Sequence, residues 1–240
     1  MKKRLDEILM GRGLAKDKNN AFIIVTEGMV LVNGQKAVSP SQLVGEDAKI
    51  ELLEERKYVG RGAYKLEAAL KEFKFDVRGK VCADIGSATG GFVEVLLNHG
   101  AKKVYAVDTA KGKLDLKLRE NPRVKVMEGI DVRDLKDLSE KVNLVAIDVS
   151  LISLRQILAA SRCFLLPEGV VIALFKPQYE TRDPKILKHG VIKDDKAREN
   201  LFNDFLKWVD ENNWRVLDKM ESPIKGSKGN IEYLIYAIQI

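Results

Sequence analysis

Apolar residues recur along this chain in two rhythms, and the change between them falls near residue 60. In the first stretch, Leu5, Ile8 and Leu9 form one stripe at helical spacing, and Gly11 and Gly13 stop it. A second helical stretch runs from about Asn19 to Glu27, carries Phe22, Ile23 and Val25, and closes at Gly28. Two short strands follow, Met29 to Val32 and Lys49 to Leu53, the first running into the turn Asn33-Gly34. Residues 1–55 therefore read as a small α+β domain, at the lower limit for a free-standing core. Residues 56–62 are charged and glycine-containing, break both rhythms and read as a linker. In residues 63–240 a helix (Ala63 to Lys74) precedes apolar strands at Val81–Ile85, Val104–Val107, Val124–Met127, Leu144–Ile147 and Val170–Phe175, with helical stretches between them. Such alternation predicts a doubly wound, mostly parallel α/β sheet. A long charged helix, Asp194 to Asn212, leads to two more strands, Trp214–Met220 and Ile231–Ile238, close enough in sequence to form an antiparallel hairpin at one edge.

Composition narrows the class. With 45% hydrophobic and 32% charged residues, the 240-residue chain can bury a core and is not disordered-like. A net charge of +6 fits a polyanionic partner such as RNA, though many soluble proteins are as basic. Cys82 and Cys163 lie far apart in apolar stretches and read as buried, reduced thiols of a cytoplasmic protein. His99 and His189 have no cysteine cluster near them, so no metal-site spacing exists. The start, MKKRLDEILM, has no apolar signal core, and runs such as Val170 to Phe175 are too short to span a bilayer, so a membrane partner is not expected.

The strongest local motif is Val81-Cys82-Ala83-Asp84-Ile85-Gly86-Ser87-Ala88-Thr89-Gly90-Gly91-Phe92, a strand running into a glycine-rich turn and then a helix. Glycines let backbone approach a ligand, and open sheets bind ligands at the strands' carboxyl ends. Asp108, at the end of the next strand, is spaced to hold a ribose diol. A dinucleotide fingerprint needs G-x-G-x-x-G; G-S-A-T-G-G lacks the middle glycine, and Asp84 suits an ammonium better than a phosphate. S-adenosylmethionine fits these features, and seven strands ending in a hairpin are the usual architecture of enzymes that use it. Asp131, after the third strand, fits either the adenine edge or a helix N-cap.

Four charged residues fall at or near the same sheet edge: Lys65 on the first helix of the large domain, Asp148 after the fourth strand, Lys176 after the fifth and Glu232 at the last. Lone charges at the ends of buried strands are costly, whereas a neutralising set of two amines and two acids is not. Methyl transfer to a hydroxyl needs a proton acceptor and a cation facing the developing alkoxide, and such a set supplies both. An amino-group enzyme would show an Asn/Asp-Pro-Pro-Tyr run where this chain has Asp148-Val149-Ser150-Leu151. A carbon-5 enzyme would need a cysteine at the site. Both absences favour a ribose 2′-hydroxyl.

A whole-chain resemblance agrees. Arg4-Leu5-Asp6, Gly13-Leu14, Val32-Asn33-Gly34, Tyr58-Val59-Gly60-Arg61-Gly62, Thr89-Gly90-Gly91-Phe92, Asp148 to Leu154, Lys176-Pro177-Gln178-Tyr179-Glu180, His189-Gly190-Val191 and Gly229-Asn230-Ile231-Glu232-Tyr233 resemble, in order, the TlyA family of bacterial rRNA 2′-O-methyltransferases, also described as haemolysin-like. The resemblance implies an S-four-type (alpha-L motif) RNA-binding domain over 1–55 and an FtsJ-like catalytic domain over 63–240, with a seven-stranded Rossmann-like sheet. It implies S-adenosylmethionine as cofactor, Lys65, Asp148, Lys176 and Glu232 as the catalytic set, and cytidine 2′-hydroxyls of 16S or 23S rRNA, or both, as substrate within ribosomal subunits; DNA is not expected as a partner. The RNA-binding motif usually has Ser-Arg where this chain has Asp17-Lys18. Residues 56–80 carry eight basic and three acidic side chains, so RNA contact is expected from Arg4, Arg12, Lys16 and Lys18 and from Arg56, Lys57 and Arg61. A non-catalytic ribosome-binding protein and a membrane-acting haemolysin are the competing readings.

Overall fold

The computed structural model of the protein describes residues 2–26, 28–53, 57–181 and 183–240. It divides into two units, Met1–Lys57 and Tyr58–Ile240.

The smaller unit runs β1 (Lys2–Arg4), α1 (Leu5–Gly11), α2 (Lys18–Thr26), β2 (Val30–Val32), β3 (Gln35–Lys36), β4 (Leu43–Gly45) and β5 (Ile50–Leu52). β2 lies between β3 and β5, and β1 pairs with β4, all antiparallel. The predicted stripe closes a core of its own: Leu5, Ile8 and Leu9 pack with Ala21, Val25, Val30 and Val44. Of the apolar residues carried by the second helix, Phe22 and Ile23 are exposed; Ala21 and Val25 are the buried positions of α2.

The larger unit runs α3 (Ala63–Glu72), β6 (Val81–Ile85), α4 (Gly91–Asn98), β7 (Lys103–Asp108), α5 (Leu116–Arg119), β8 (Val124–Glu128), β9 (Val142–Ile147), α6 (Leu154–Ser161), β10 (Leu165–Phe175), β11 (Leu187–Lys188), β12 (Val191–Ile192), α7 (Asp195–Glu211), β13 (Trp214–Glu221) and β14 (Tyr233–Gln239). Its sheet has seven strands in the order β13-β14-β10-β9-β6-β7-β8, all running the same way except β14, which is antiparallel to both of its neighbours, β13 and β10. Successive residues of a strand point to opposite faces. Leu144 and Ala146 of β9 accordingly join the core beneath α3 and α4, while Val145 and Ile147 join the core beneath α6 and α7. Burial on both faces is what makes these strands continuous apolar runs.

Three expectations change. Tyr58 to Gly62, read as linker, belong to the larger unit: the Tyr58 ring is buried, its hydroxyl donates to Glu67 at 2.6 Å, and the Val59 N–H donates to buried Glu94 at 2.6 Å. Cys163 is exposed rather than buried, because α6 ends at Ser161 and a 3-10 turn (Arg162–Phe164) lifts it off the core. No helix follows Asp131; its carboxylate caps a turn by accepting the Arg133 N–H at 2.9 Å. Among the described residues no helix is long and apolar enough to cross a membrane.

Candidate active site

The strand order sets β6, β9 and β10 side by side, and their carboxyl ends open onto one cleft. β14 runs the opposite way, so its first residue, Tyr233, pairs with the last residue of β10, Phe175. Glu232 thereby arrives at the same edge as Asp148, one residue past β9, and Lys176, one residue past β10. The fourth group, Lys65, comes from the first turn of α3 and is buried.

These four side chains form two ion pairs rather than one cluster. Lys65 Nζ donates to Glu232 Oε2 at 2.6 Å, and Lys176 Nζ lies 2.6 Å from Asp148 Oδ1. Both pairs line one cavity of about 430 Å³. Two residues not singled out from the sequence hold them: Ser150 accepts a hydrogen bond from Lys176 Nζ at 3.0 Å, and Gln178 donates to Glu232 Oε1 at 3.2 Å. Each lies two residues beyond a predicted catalytic residue, inside motifs already quoted, which was the available signal. Glu180 adds stiffness by accepting from the Ser153 hydroxyl at 2.8 Å and from the Leu154 N–H at 2.6 Å, tying the loop after β10 to the start of α6.

Two smaller cavities adjoin it, and Asp148 lines all three. One lies over the glycine-rich turn, against Asp84, Gly86, Ser87, Thr89, Gly91 and Phe92; the other runs past Asp108 to Asp131. The turn depends on backbone that only glycine adopts freely. Gly86 has φ +88°, and a Cβ there would stand 2.4 Å from the Asp148 carbonyl oxygen. Gly90, at φ +97°, lines none of these three cavities; it admits Leu114 and Leu118 behind the turn. Asp108 accepts the Ala88 and Ala110 N–H groups at 2.8 and 2.7 Å, one on each oxygen, which presents its remaining lone pairs to the cleft. Asp131 is paired with Arg133 at 2.6 Å, and the hydrogen bonds from Arg133 hold its carboxyl below the usual range.

Asp84 is fully buried, and neither of its oxygens has a hydrogen-bond partner; the buried Ser87 hydroxyl is also unpartnered. Burial, followed by the charges of Asp148 and Asp108, pushes the Asp84 carboxyl well above the ordinary range. Three carboxylates around one cleft repel each other and disfavour a pyrophosphate. They suit S-adenosylmethionine, whose ammonium and sulfonium are both cationic. The residues present therefore fit this group: Asp84 and Ser87 for the methionine end, Asp108 for the ribose diol, and the cavity wall at Ile130, Asp131 and Val132 for the adenine.

The raised Asp84 carboxyl makes stability depend on pH with a defined sign. Between the unfolded carboxyl value of about 4 and its raised folded value, the folded protein binds more protons than the unfolded chain, so stability falls as pH rises through that window. Asp84→Asn removes this cost. Thermal unfolding of the cofactor-free variant should show a higher Tm than wild type at pH 7, by about 2–4 °C per kcal/mol recovered, and a gain that vanishes below about pH 4. Calorimetry across that pH range checks it, and a lower Tm at neutral pH would contradict it.

Cysteine chemistry has no part in this site. Burial lifts the Cys82 thiol to about 12, and exposed Cys163 precedes the amino end of β10, away from the carboxyl edge.

The expected RNA-contact residues divide. Lys16 and Lys18 are exposed, with no ion pair among the described residues. Arg4 is spent on Asp6, at 2.7 Å, and Arg12 donates to the backbone oxygens of Ala48, at 2.9 Å, and of Glu46, which anchors the end of α1. Lys57 is exposed, and Arg56 lies outside the described residues. Arg61 is on the wall of the catalytic cavity, where it donates to the Lys225 carbonyl at 3.2 Å.

Comparison with known proteins adds an independent line. The FtsJ-like methyltransferase family model matches residues 58–238. The chain is 38% identical to Hemolysin A of Brachyspira hyodysenteriae, over 98% of this chain and 99% of that protein. It is 35% identical to the 16S/23S rRNA (cytidine-2′-O)-methyltransferase TlyA of Mycobacterium tuberculosis, over 97% of this chain and 88% of that one. Among solved structures, a hemolysin from Streptococcus thermophilus superposes with a TM-score of 0.76 at 34% identity, covering 99% of this chain and 88% of its own.

Proposed function

Since the chain belongs to the FtsJ-like methyltransferase family, of the TlyA type, we propose that it methylates ribose 2′-hydroxyls of rRNA, with cytidine in 16S or 23S rRNA, or both, as the target. The observation that carries this reading is the meeting of two lysine–carboxylate pairs on one cavity that shares Asp148 with the cofactor cleft. S-adenosylmethionine, when bound, supplies an electrophilic sulfonium methyl. The protein's own groups do the rest. Lys176 acts as the neutral amine: having lost one proton to solvent, it keeps two N–H groups for Asp148 and Ser150, and its lone pair takes the proton of the incoming hydroxyl. Lys65, oriented by Glu232, faces the charge that develops on the oxygen. Gln178 and Glu180 keep the two catalytic loops in register, so that positioning contributes as well as charge.

In this reading the smaller unit, Met1–Lys57, is an S-four-type RNA-binding domain that anchors the substrate through Lys16 and Lys18, and Tyr58–Ile240 is the catalytic domain. Assembled ribosomal subunits in the cytoplasm are the partner, and neither DNA nor a membrane is.

The deciding experiment maps 2′-O-methyl groups in rRNA from cells with and without the protein. At least one ribose methyl should disappear with the gene and return with the wild-type copy. Identical maps would remove the assignment.

A further inference from the structure

We propose that Lys225 and Lys228, in the loop between β13 and β14, grip the phosphates that flank the target nucleotide and so seat the RNA strand at the mouth of the catalytic cavity. This inference rests on the reading of the cavity as a site for ribose methylation.

The charge on the cavity wall is the starting point. Arg61, Lys65, Lys176, Lys225 and Lys228 line it, against Asp148 and Glu232. Lys65 and Lys176 are each paired to one of the carboxylates, so the pairs cancel. The remaining positive charge belongs to Arg61, Lys225 and Lys228, all exposed, none of them in an ion pair among the described residues. Three uncompensated cations beside a neutralised catalytic pair repel one another unless an anion arrives between them. The acceptor of the transfer, a ribose in a polynucleotide, brings a phosphodiester on each side.

The loop is also built to hold its lysines still. Buried Asn230 joins it to the β11–β12 hairpin: its side-chain oxygen accepts the Ile192 N–H at 3.0 Å and its amide donates to the Gly190 carbonyl at 2.9 Å. The Gly226 N–H donates to Asn230 at 2.9 Å and the Gly229 N–H to Gly226 at 2.8 Å, which closes a tight turn. Lys228 lies over Gly190, where even a Cβ would come within 3.3 Å of its ammonium. Arg61 fastens the other side through the Lys225 carbonyl. A loop pinned at three points and tipped with unpaired cations is organised for an anion of fixed position rather than left as a solvated tail. The same segment leads directly into Glu232, which only three residues separate from Lys228.

Neutralising a phosphate with a lysine releases counterions, and the salt dependence of binding counts the contacts. The test uses the full-length protein, the double variant Lys225→Gln/Lys228→Gln, and ribosomal subunits as methyl acceptor. KM for the subunits should rise about tenfold near physiological salt, with the loss in KM rather than in kcat, and the slope of log(kcat/KM) against log salt should flatten by about 1 to 2. Lys225→Arg/Lys228→Arg should restore both, and Lys225→Glu/Lys228→Glu should raise KM further. Anisotropy titration of an rRNA fragment against the same variants reads the salt slope without any turnover. A wild type that binds the fragment but methylates nothing would defeat the functional assignment and leave the grip standing. Variants with wild-type slope and KM, or with reduced kcat alone, would overturn the grip while leaving the methyltransferase intact.

Discussion

Lys176→Ala should lower methyl transfer by about two to four orders of magnitude, the range of a lost general base, while cofactor binding stays close to wild type. The separation follows from the cavities: Lys176 lines the acceptor cavity and neither of the two against the glycine-rich turn. Asp148 lines all three, so Asp148→Ala should weaken cofactor binding and transfer together. The choice of Lys176 over Lys65 is energetic. The Lys65 and Glu232 side chains are 9% and 3% exposed, and stranding one member of so buried a pair costs about 3–5 kcal/mol, enough to confuse unfolding with lost chemistry. Asp148 is 19% exposed and keeps access to water when its partner is removed. Calorimetric titration of cofactor beside single-turnover transfer to ribosomal subunits checks the result. Turnover surviving in Lys176→Ala would refute the role given to that amine.

Gly86→Ala should lower stability and cofactor affinity together. At φ +88° an L residue is strained, and the new methyl would stand 2.4 Å from the Asp148 carbonyl oxygen and 2.9 Å from its carbon. Those are backbone atoms, so no side-chain rotation relieves the clash. Strain and overpacking together should destabilise the domain by about 2–4 kcal/mol. Relief requires the turn after β6 to move away from the loop after β9, which separates the cofactor wall from Asp148. Urea unfolding should show the lower midpoint, and cofactor affinity should fall with it. A variant with wild-type midpoint and affinity would mean that the two loops are not in the contact described.

The larger domain was legible because its strands are buried on both faces. Leu144–Ile147 and Val170–Phe175 are unbroken apolar runs for that reason, and a charge directly after such a run, as at Asp148 or Lys176, stands out. The partners within the catalytic set were not legible. Lys65 meets Glu232, 167 residues away, only because β14 inserts between β13 and β10, and strand order leaves no local trace. In the smaller unit, β1 and β3 are two or three polar, mostly exposed residues, too short for any alternation to show. Lys225 and Lys228 were hidden for a different reason: lysine in a glycine-rich polar loop is what an ordinary solvated turn contains. Asp131 lines the cavity beyond Asp108, and its sequence context could not distinguish a turn from the first turn of a helix.

The inward position of β14 also orders the protein's maturation. Until that strand docks, the flank of β10 that it will cover is an open hydrogen-bonding edge, and such edges invite pairing with other chains. A growing polypeptide halted before Tyr233 would hold every group of the cofactor cleft and still be both inert and prone to stick to its neighbours.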